Sequence, residues 1–241
     1  MKQLAVAVAL SACAASAALA ADMAPPALIP PQAPYNWSGL YLGGNLGAAW
    51  TDGNFSDPAG NAFTGGATGT TQFVGGGQVG ANYEFRGGAV VGVEADFDWL
   101  PNTNNTSNTI VDTFGNTDSL TANNRWLTTL TGRLGYAFDR VLVYGKGGGA
   151  WVGSSTPTIT INGAPFSTTI NSNWGWTAGF GVEWAFAGTW SVRAEYDYVG
   201  LNGQTFAVPA TAPGAIAGDV FTSSNRVQLL TAGINYKFGP W

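Results

Sequence analysis

From Trp37 onward the chain alternates apolar and polar side chains every second residue, in eight separate segments. A two-residue period is that of an extended strand with two unlike faces. The sixth segment is the clearest: Trp174, Trp176, Ala178, Phe180, Val182, Trp184 and Phe186 share one face, and Gly175, Thr177, Gly179, Gly181 and Glu183 the other. In the third, Val91, Val93, Ala95, Phe97 and Trp99 oppose Glu94, Asp96 and Asp98. The seventh sets Trp190, Val192, Ala194, Tyr196 and Tyr198 against Ser191, Arg193, Glu195 and Asp197. The first places Leu40, Leu42 and Leu46 against Tyr41 and Asn45, and the second places Phe73, Val79 and Tyr83 against Gln78, Asn82 and Glu84. The fourth sets Trp126, Leu130, Leu134 and Tyr136 opposite Arg125, Thr129, Thr131 and Arg133. The fifth is diluted by Gly145, Gly147 and Gly149, with Tyr144 and Lys146 opposite; the eighth pairs Leu230, Ala232, Ile234, Tyr236 and Phe238 against Thr231, Asn235 and Lys237.

The connections between segments are unequal. Arg86-Gly87-Gly88, Asp139-Arg140 and Ala187-Gly188 join three pairs tightly, whereas stretches of about twenty residues rich in Thr, Asn, Gly and Ser join the other four, read here as loops. Short periplasmic turns alternating with long extracellular loops are the pattern of outer-membrane barrels. The expected fold is therefore all-β: an eight-stranded antiparallel up-and-down transmembrane β-barrel, with its first strand rising from the periplasm.

Composition sharpens this choice. Charged residues are only 10% of the chain, against about a quarter in soluble proteins. Beyond the N-terminus no apolar run approaches the roughly 18–20 residues of a spanning helix, and lipid tolerates only helices or closed barrels. A soluble barrel would turn its bulky face inward, and an eight-stranded interior has no room for stacked tryptophans. Aromatic residues fall at both strand ends: Trp50, Phe73, Trp99, Trp126, Trp151 and Trp174 at the loop ends, Tyr83, Phe85, Tyr136, Phe138, Trp184, Phe186, Trp190, Tyr236 and Phe238 at the turn ends. Such belts suit the two headgroup levels of a membrane.

The candidate site is the charge set on the inward face: Glu84, Glu94, Asp96, Asp98, Glu183, Glu195 and Asp197 with Arg125, Arg133, Lys146, Arg193 and Lys237. Buried charges persist when paired, so the expectation is a salt-bridged lumen filling, with acids and bases mostly paired. The excess of acid leaves a narrow, weakly cation-preferring pore as the alternative. The chain has no histidine, which removes the usual base for activating a serine, and no catalytic residue, cofactor or metal site is expected. Gly75-Gly76-Gly77-Gln78-Val79-Gly80 fits a dinucleotide-binding spacing, but the alternation continues after it where that motif needs a helix. The net charge of −5 argues against nucleic acid. The loop acids Asp52, Asp57, Asp112, Asp118 and Asp219 make an anionic outer face suited to divalent-bridged contact with lipopolysaccharide.

Residues 1–20 read as a secretory signal, with Lys2, an apolar stretch and Ala18-Leu19-Ala20 before the cleavage point. Leu10-Ser11-Ala12-Cys13 offers a competing lipoprotein cleavage box with Cys13 as the lipidated residue. Residues 21–36, with Pro25, Pro26, Pro30, Pro31 and Pro34, read as an extended periplasmic leader, and 37–241 as the barrel.

Trp37-Ser38-Gly39-Leu40-Tyr41-Leu42-Gly43-Gly44-Asn45-Leu46-Gly47 resembles the opening strand of the RopB-like small outer-membrane proteins, or porins, of alphaproteobacteria, within the OmpA-like barrel class. Gly233-Ile234-Asn235-Tyr236-Lys237-Phe238 is similar to that family's last strand, whose Ile234, Tyr236 and Phe238 positions the resemblance assigns to an insertion signal read by the barrel-assembly machinery. The resemblance implies a structural protein of the outer membrane, often labelled a porin, with lipid, lipopolysaccharide, periplasmic chaperones and the assembly machinery as partners. The tail Gly239-Pro240-Trp241 departs from the family's usual aromatic ending, and the lack of a peptidoglycan-binding domain speaks against anchoring by that route. Oligomeric state is left open.

Overall fold

The computed structural model describes residues 34–56, 64–67, 71–100, 107–111, 117–121, 124–154, 158–161, 164–167, 174–207 and 220–239. Eight long strands form the barrel wall: β1 (Gly39–Ser56), β3 (Thr71–Glu84), β4 (Ala89–Trp99), β7 (Asn124–Phe138), β8 (Val141–Ser154), β11 (Trp174–Ala185), β12 (Trp190–Leu201) and β14 (Val220–Phe238). Each pairs antiparallel with the next in that order, and β14 returns to pair with β1 from Leu40↔Phe238 to Ser56↔Thr222. The sheet is therefore closed, and no wall strand keeps a free edge along the span.

The alternation decides which way the wall faces. Along β11 and β12 every second residue, counted from Trp174 and from Trp190, points out, and the intervening side chains are mostly buried. The outward set includes Leu134 at 67% and Phe180 at 64% exposed, values that would be anomalous in water and are ordinary against lipid. Aromatic neighbours pack around the turn end, with Trp190–Tyr236 and Tyr236–Phe238 edge to face at 5.0 and 5.1 Å.

Three tight turns join the strands at one end. In the first, Gly87 and Gly88 take φ values of +104° and +89°, which a side chain would resist. In the second, Asp139 occupies the left-handed region at φ +54°. The opposite end departs from expectation, because its connections carry strands. The pieces β2 (Thr64–Ala67) and β13 (Gln204–Ala207) extend the wall beside β1 and β14. Beyond the wall, β5 (Ser107–Val111), β6 (Thr117–Thr121), β9 (Thr158–Ile161) and β10 (Ala164–Ser167) form a separate four-stranded sheet in the order β10-β9-β6-β5. Thr, Ile and Val supply its β-propensity; a polar average concealed short runs such as Thr158-Ile159-Thr160-Ile161.

A second departure lies at the turn end. Tyr35 and Asn36 are not free leader, and Trp37 precedes the first strand instead of opening it. Tyr35 N donates to Asp139 Oδ1 at 2.8 Å, Trp37 N to Glu84 Oε2 at 2.8 Å, and the Trp37 indole to Asp139 O at 2.9 Å. Residues 35–38 thus cross the turn-end mouth as a strap, with Trp37 buried inside. The signal peptide and lipidation readings, and the leader as far as residue 33, lie outside the described residues.

Candidate functional site

The barrel interior has three layers. Nearest the loops, Ala49, Val74, Leu100, Leu127, Val152, Val199, Val227 and Leu229 pack into a buried apolar cluster. Nearest the turns, Trp37, Val90, Ala137, Leu142, Tyr144 and Ala185 form a second. The expected polar lumen exists only between them. Strand parity places these apolar residues inward just as it places the charged ones, so the inward face is polar only in the middle of each strand.

The middle layer centres on Glu94, which is 1% exposed. Its Oε2 accepts from Arg193 Nη1 at 2.7 Å, Arg133 Nη1 at 3.2 Å and Tyr41 Oη at 2.7 Å, while Oε1 accepts from Lys146 Nζ at 3.3 Å. Lys146 Nζ also reaches Asp96 Oδ2 at 3.2 Å and Glu195 Oε1 at 2.6 Å, and Arg193 Nη2 reaches Asp96 Oδ1 at 3.1 Å. Arg133 Nη2 bonds Glu183 Oε2 at 3.1 Å. Glu183 Oε1 further accepts from Ser191 Oγ and from Asn235 Nδ2.

Local sequence explains the assembly. Glu94, Asp96 and Asp98 on β4, and Arg193, Glu195 and Asp197 on β12, stand at alternate positions and share the inward face. In a ring of eight, β4 and β12 are four places apart, so these two ladders confront each other across the lumen. Glycines on adjacent strands make room for the long side chains. A Cβ at Gly80 would stand 2.2 Å from Tyr41 Oη, and one at Gly179 would stand 2.1 Å from Asp197 Oδ1.

The expected charge set is only partly assembled. Glu94, Asp96, Glu183, Glu195 and Asp197 meet Arg133, Lys146 and Arg193 in one network. Asp98 is buried beside it and makes no ion pair among the described residues. Glu84 sits at the turn end, engaged by Trp37 N. Lys237, counted among the lumen bases, lies at the same mouth: its Nζ donates to Asn36 O and stands 4.0 Å from the centre of the Tyr35 ring. The Arg125 side chain lies outside the described residues. Most of the buried acids do pair with a base, Asp98 being the exception among the described residues. Among the described residues, six buried carboxylates face three buried cations, because strand register puts Lys237 below the layer.

Besides Ser191 and Asn235, two aromatic participants were in phase but not singled out, Tyr41 and Tyr144. Tyr144 Oη donates to Glu195 Oε2 at 2.7 Å, and its ring lies 3.8 Å from the Arg133 guanidinium carbon. A tyrosine in phase with charged positions was the available signal. Outside the span, burial pushes the Tyr35 phenol up to about 12, reinforced by the negative charge of Glu183. Ile234, Tyr236 and Phe238 of the expected insertion signal all point outward at the turn end of β14.

A closed eight-strand wall with an apolar, aromatic-banded outside and a charged filling defines an outer-membrane β-barrel. The chain belongs to this family, matching the outer membrane protein β-barrel domain over residues 5–238. It is similar to the 31 kDa outer-membrane immunogenic proteins of Brucella melitensis biotype 1 and Brucella suis biovar 1, each 30% identical over 242 residues, or 93% of this chain and 95% of the relative. The expected place among small alphaproteobacterial outer-membrane proteins is thereby borne out. Among solved structures, the outer membrane protein OprG from Pseudomonas aeruginosa shares the fold, with a TM-score of 0.51 at 10% identity, covering 85% of this chain and 99% of that one.

Proposed function

We propose that the protein is a structural component of the outer membrane, a filled barrel that holds its loops at the cell surface and supports the envelope without conducting solutes. The observation that carries this reading is the stacking of the Glu94 network between two apolar layers. An eight-stranded interior is normally filled by side chains; here ion pairs span it and Leu127, Leu142 and Trp37 cap it from both sides. The Brucella relatives are named as immunogenic proteins of the outer membrane, which accords with surface display. An enzymatic role is disfavoured by the absence of histidine from the sequence.

The surplus of buried carboxylates over buried cations among the described residues favours a second reading, a narrow cation-preferring pore. Planar-bilayer recording separates the two. Reconstituted barrel should give no single-channel steps; reproducible steps with cation selectivity would replace the structural reading with the pore. As partners we propose lipid and lipopolysaccharide around the wall, periplasmic chaperones during transit, and the barrel-assembly machinery acting on Ile234, Tyr236 and Phe238.

A further inference from the structure

The strap at the turn-end mouth is fastened to three separate parts of the wall. Trp37 N donates to Glu84 Oε2 at 2.8 Å and Glu84 N donates back to Ser38 Oγ at 3.0 Å, a two-way clasp on the last residue of β3. Tyr35 N and the Trp37 indole both bond Asp139, at 2.8 and 2.9 Å, on the turn between β7 and β8. Lys237, next to the last residue of β14, donates from Nζ to Asn36 O and stands 4.0 Å from the centre of the Tyr35 ring. Tyr35 and Trp37 themselves pack edge to face at 4.9 Å.

The order of strands gives these fastenings a direction. In the closed ring β14-β1-β3-β4-β7-β8-β11-β12, the β7–β8 turn lies directly opposite the seam between β14 and β1. The strap meets β1 at Gly39, whose φ of +144° suits glycine and where a Cβ would stand 2.6 Å from Gly239 O. From there it crosses to the far side of the mouth, with Trp37 packed among Val90, Ala137, Leu142, Tyr144 and Ala185. Every other junction in the wall joins strands consecutive along the chain, so a turn or a loop holds it at one end. The β14–β1 seam has no such connection and rests on its ladder hydrogen bonds.

We propose that residues 35–38 are a latch on this seam, a tie across the mouth that keeps β14 from peeling away from β1 at the periplasmic end. Lys237 is its clasp on the β14 side. For the seam to part there, Lys237 must leave both Asn36 O and the Tyr35 ring, while Asp139 and Glu84 hold the strap, and with it the start of β1, in place. A parted seam bares two strand edges, whose unpaired N–H and C=O groups are costly beside lipid and recruit other chains. The latch thus does at the seam what a turn does at the other junctions. It adds lateral closure to the structural reading, and it holds whether or not the lumen conducts.

The test follows backbone hydrogen exchange, segment by segment, in the full barrel refolded into phosphatidylcholine vesicles. Lys237→Met and Tyr35→Leu, which release the clasp at the rim, should speed exchange about tenfold or more in residues 40–44 and 234–238, the turn-end part of the seam. Exchange in residues 48–52 and 226–230, the loop-end part, should stay as in the parent. Trp37→Ala should repeat this pattern with a larger rise at the turn end. Leu142→Ala is the control, because it empties space in the same apolar cluster from β8, away from the seam; it should loosen its own surroundings and leave seam exchange unchanged. Parental seam exchange in both Lys237→Met and Tyr35→Leu overturns the proposal, even if Trp37→Ala fails to fold. A rise at the seam in Leu142→Ala equal to theirs overturns it as well, since packing at the mouth would then account for the effect.

Discussion

Arg193 Nη1 and Glu94 Oε2 lie 2.7 Å apart, joining strands that face each other across the barrel. Neither residue has water to fall back on, so the two losses are unequal. Arg193→Met takes a cation from a layer already rich in acid and should cost about 3–5 kcal/mol, the range for breaking a buried pair. Glu94→Gln removes one of the surplus charges and should cost less. The double variant should cost less than the sum, with a coupling of about 0.5–3 kcal/mol. Urea unfolding in vesicles, followed by tryptophan fluorescence, measures all three; additive losses would mean the pair is not coupled.

Gly80 tests the close packing of the same hub. A methyl there meets Tyr41 Oη at 2.2 Å and Val93 O at 2.8 Å. Gly80→Ala should displace Tyr41, break its bond to Glu94 and destabilise the barrel by about 1–3 kcal/mol. Adding Tyr41→Phe should then cost little more, because the hydroxyl has already lost its place. A full additional loss would show that Tyr41 had stayed put.

The loop-end apolar layer predicts a separation of stability from conductance. Leu127 is almost fully buried, so Leu127→Ala should lower unfolding stability by about 2–5 kcal/mol. The ion-paired layer beneath remains, and bilayer recordings should stay silent. Steps arising from this one truncation would identify Leu127 as the seal.

Depth dependence on the outer wall distinguishes lipid contact from mere exposure. Phe180, midway along β11, and Phe238, at the turn end of β14, are both outward. Phe180→Arg should cost about 2–4 kcal/mol in a bilayer, and Phe238→Arg about 0–1. Equal costs would argue that the two positions sit at the same membrane depth. Phe238→Ala, in turn, should slow assembly in cells while leaving the stability of spontaneously refolded protein nearly unchanged.

Strand number, facing and connection order were legible because each depends on a residue's parity and on nothing distant. Trp184 points out and Glu183 in, as a period of two requires. The apolar layers were not legible in the same way. Leu127, Leu142 and Val199 occupy inward parity, but one apolar residue at a polar position reads as noise until neighbouring strands bring others level with it. The charge pairing was legible as a set and not as a network. Lys237 and Arg133 are both inward by parity, yet register carries one to the mouth and the other to the hub. The strap was hidden because the Pro-rich stretch before it reads as free leader up to residue 36, and its partners, Asp139 and Glu84, lie about fifty to a hundred residues away in sequence.

The pairing of β1 with β14 sets an order of events as well as a shape. Leu40 meets Phe238, and that contact spans nearly the whole barrel sequence. Loop-closure entropy makes so distant a contact slow to form. Until the nineteen residues of β14 are in place, the growing sheet carries two bare edges and an apolar flank open to any passing chain. Transit through the periplasm is therefore the most vulnerable stage in the life of this protein, and sealing the seam ends it.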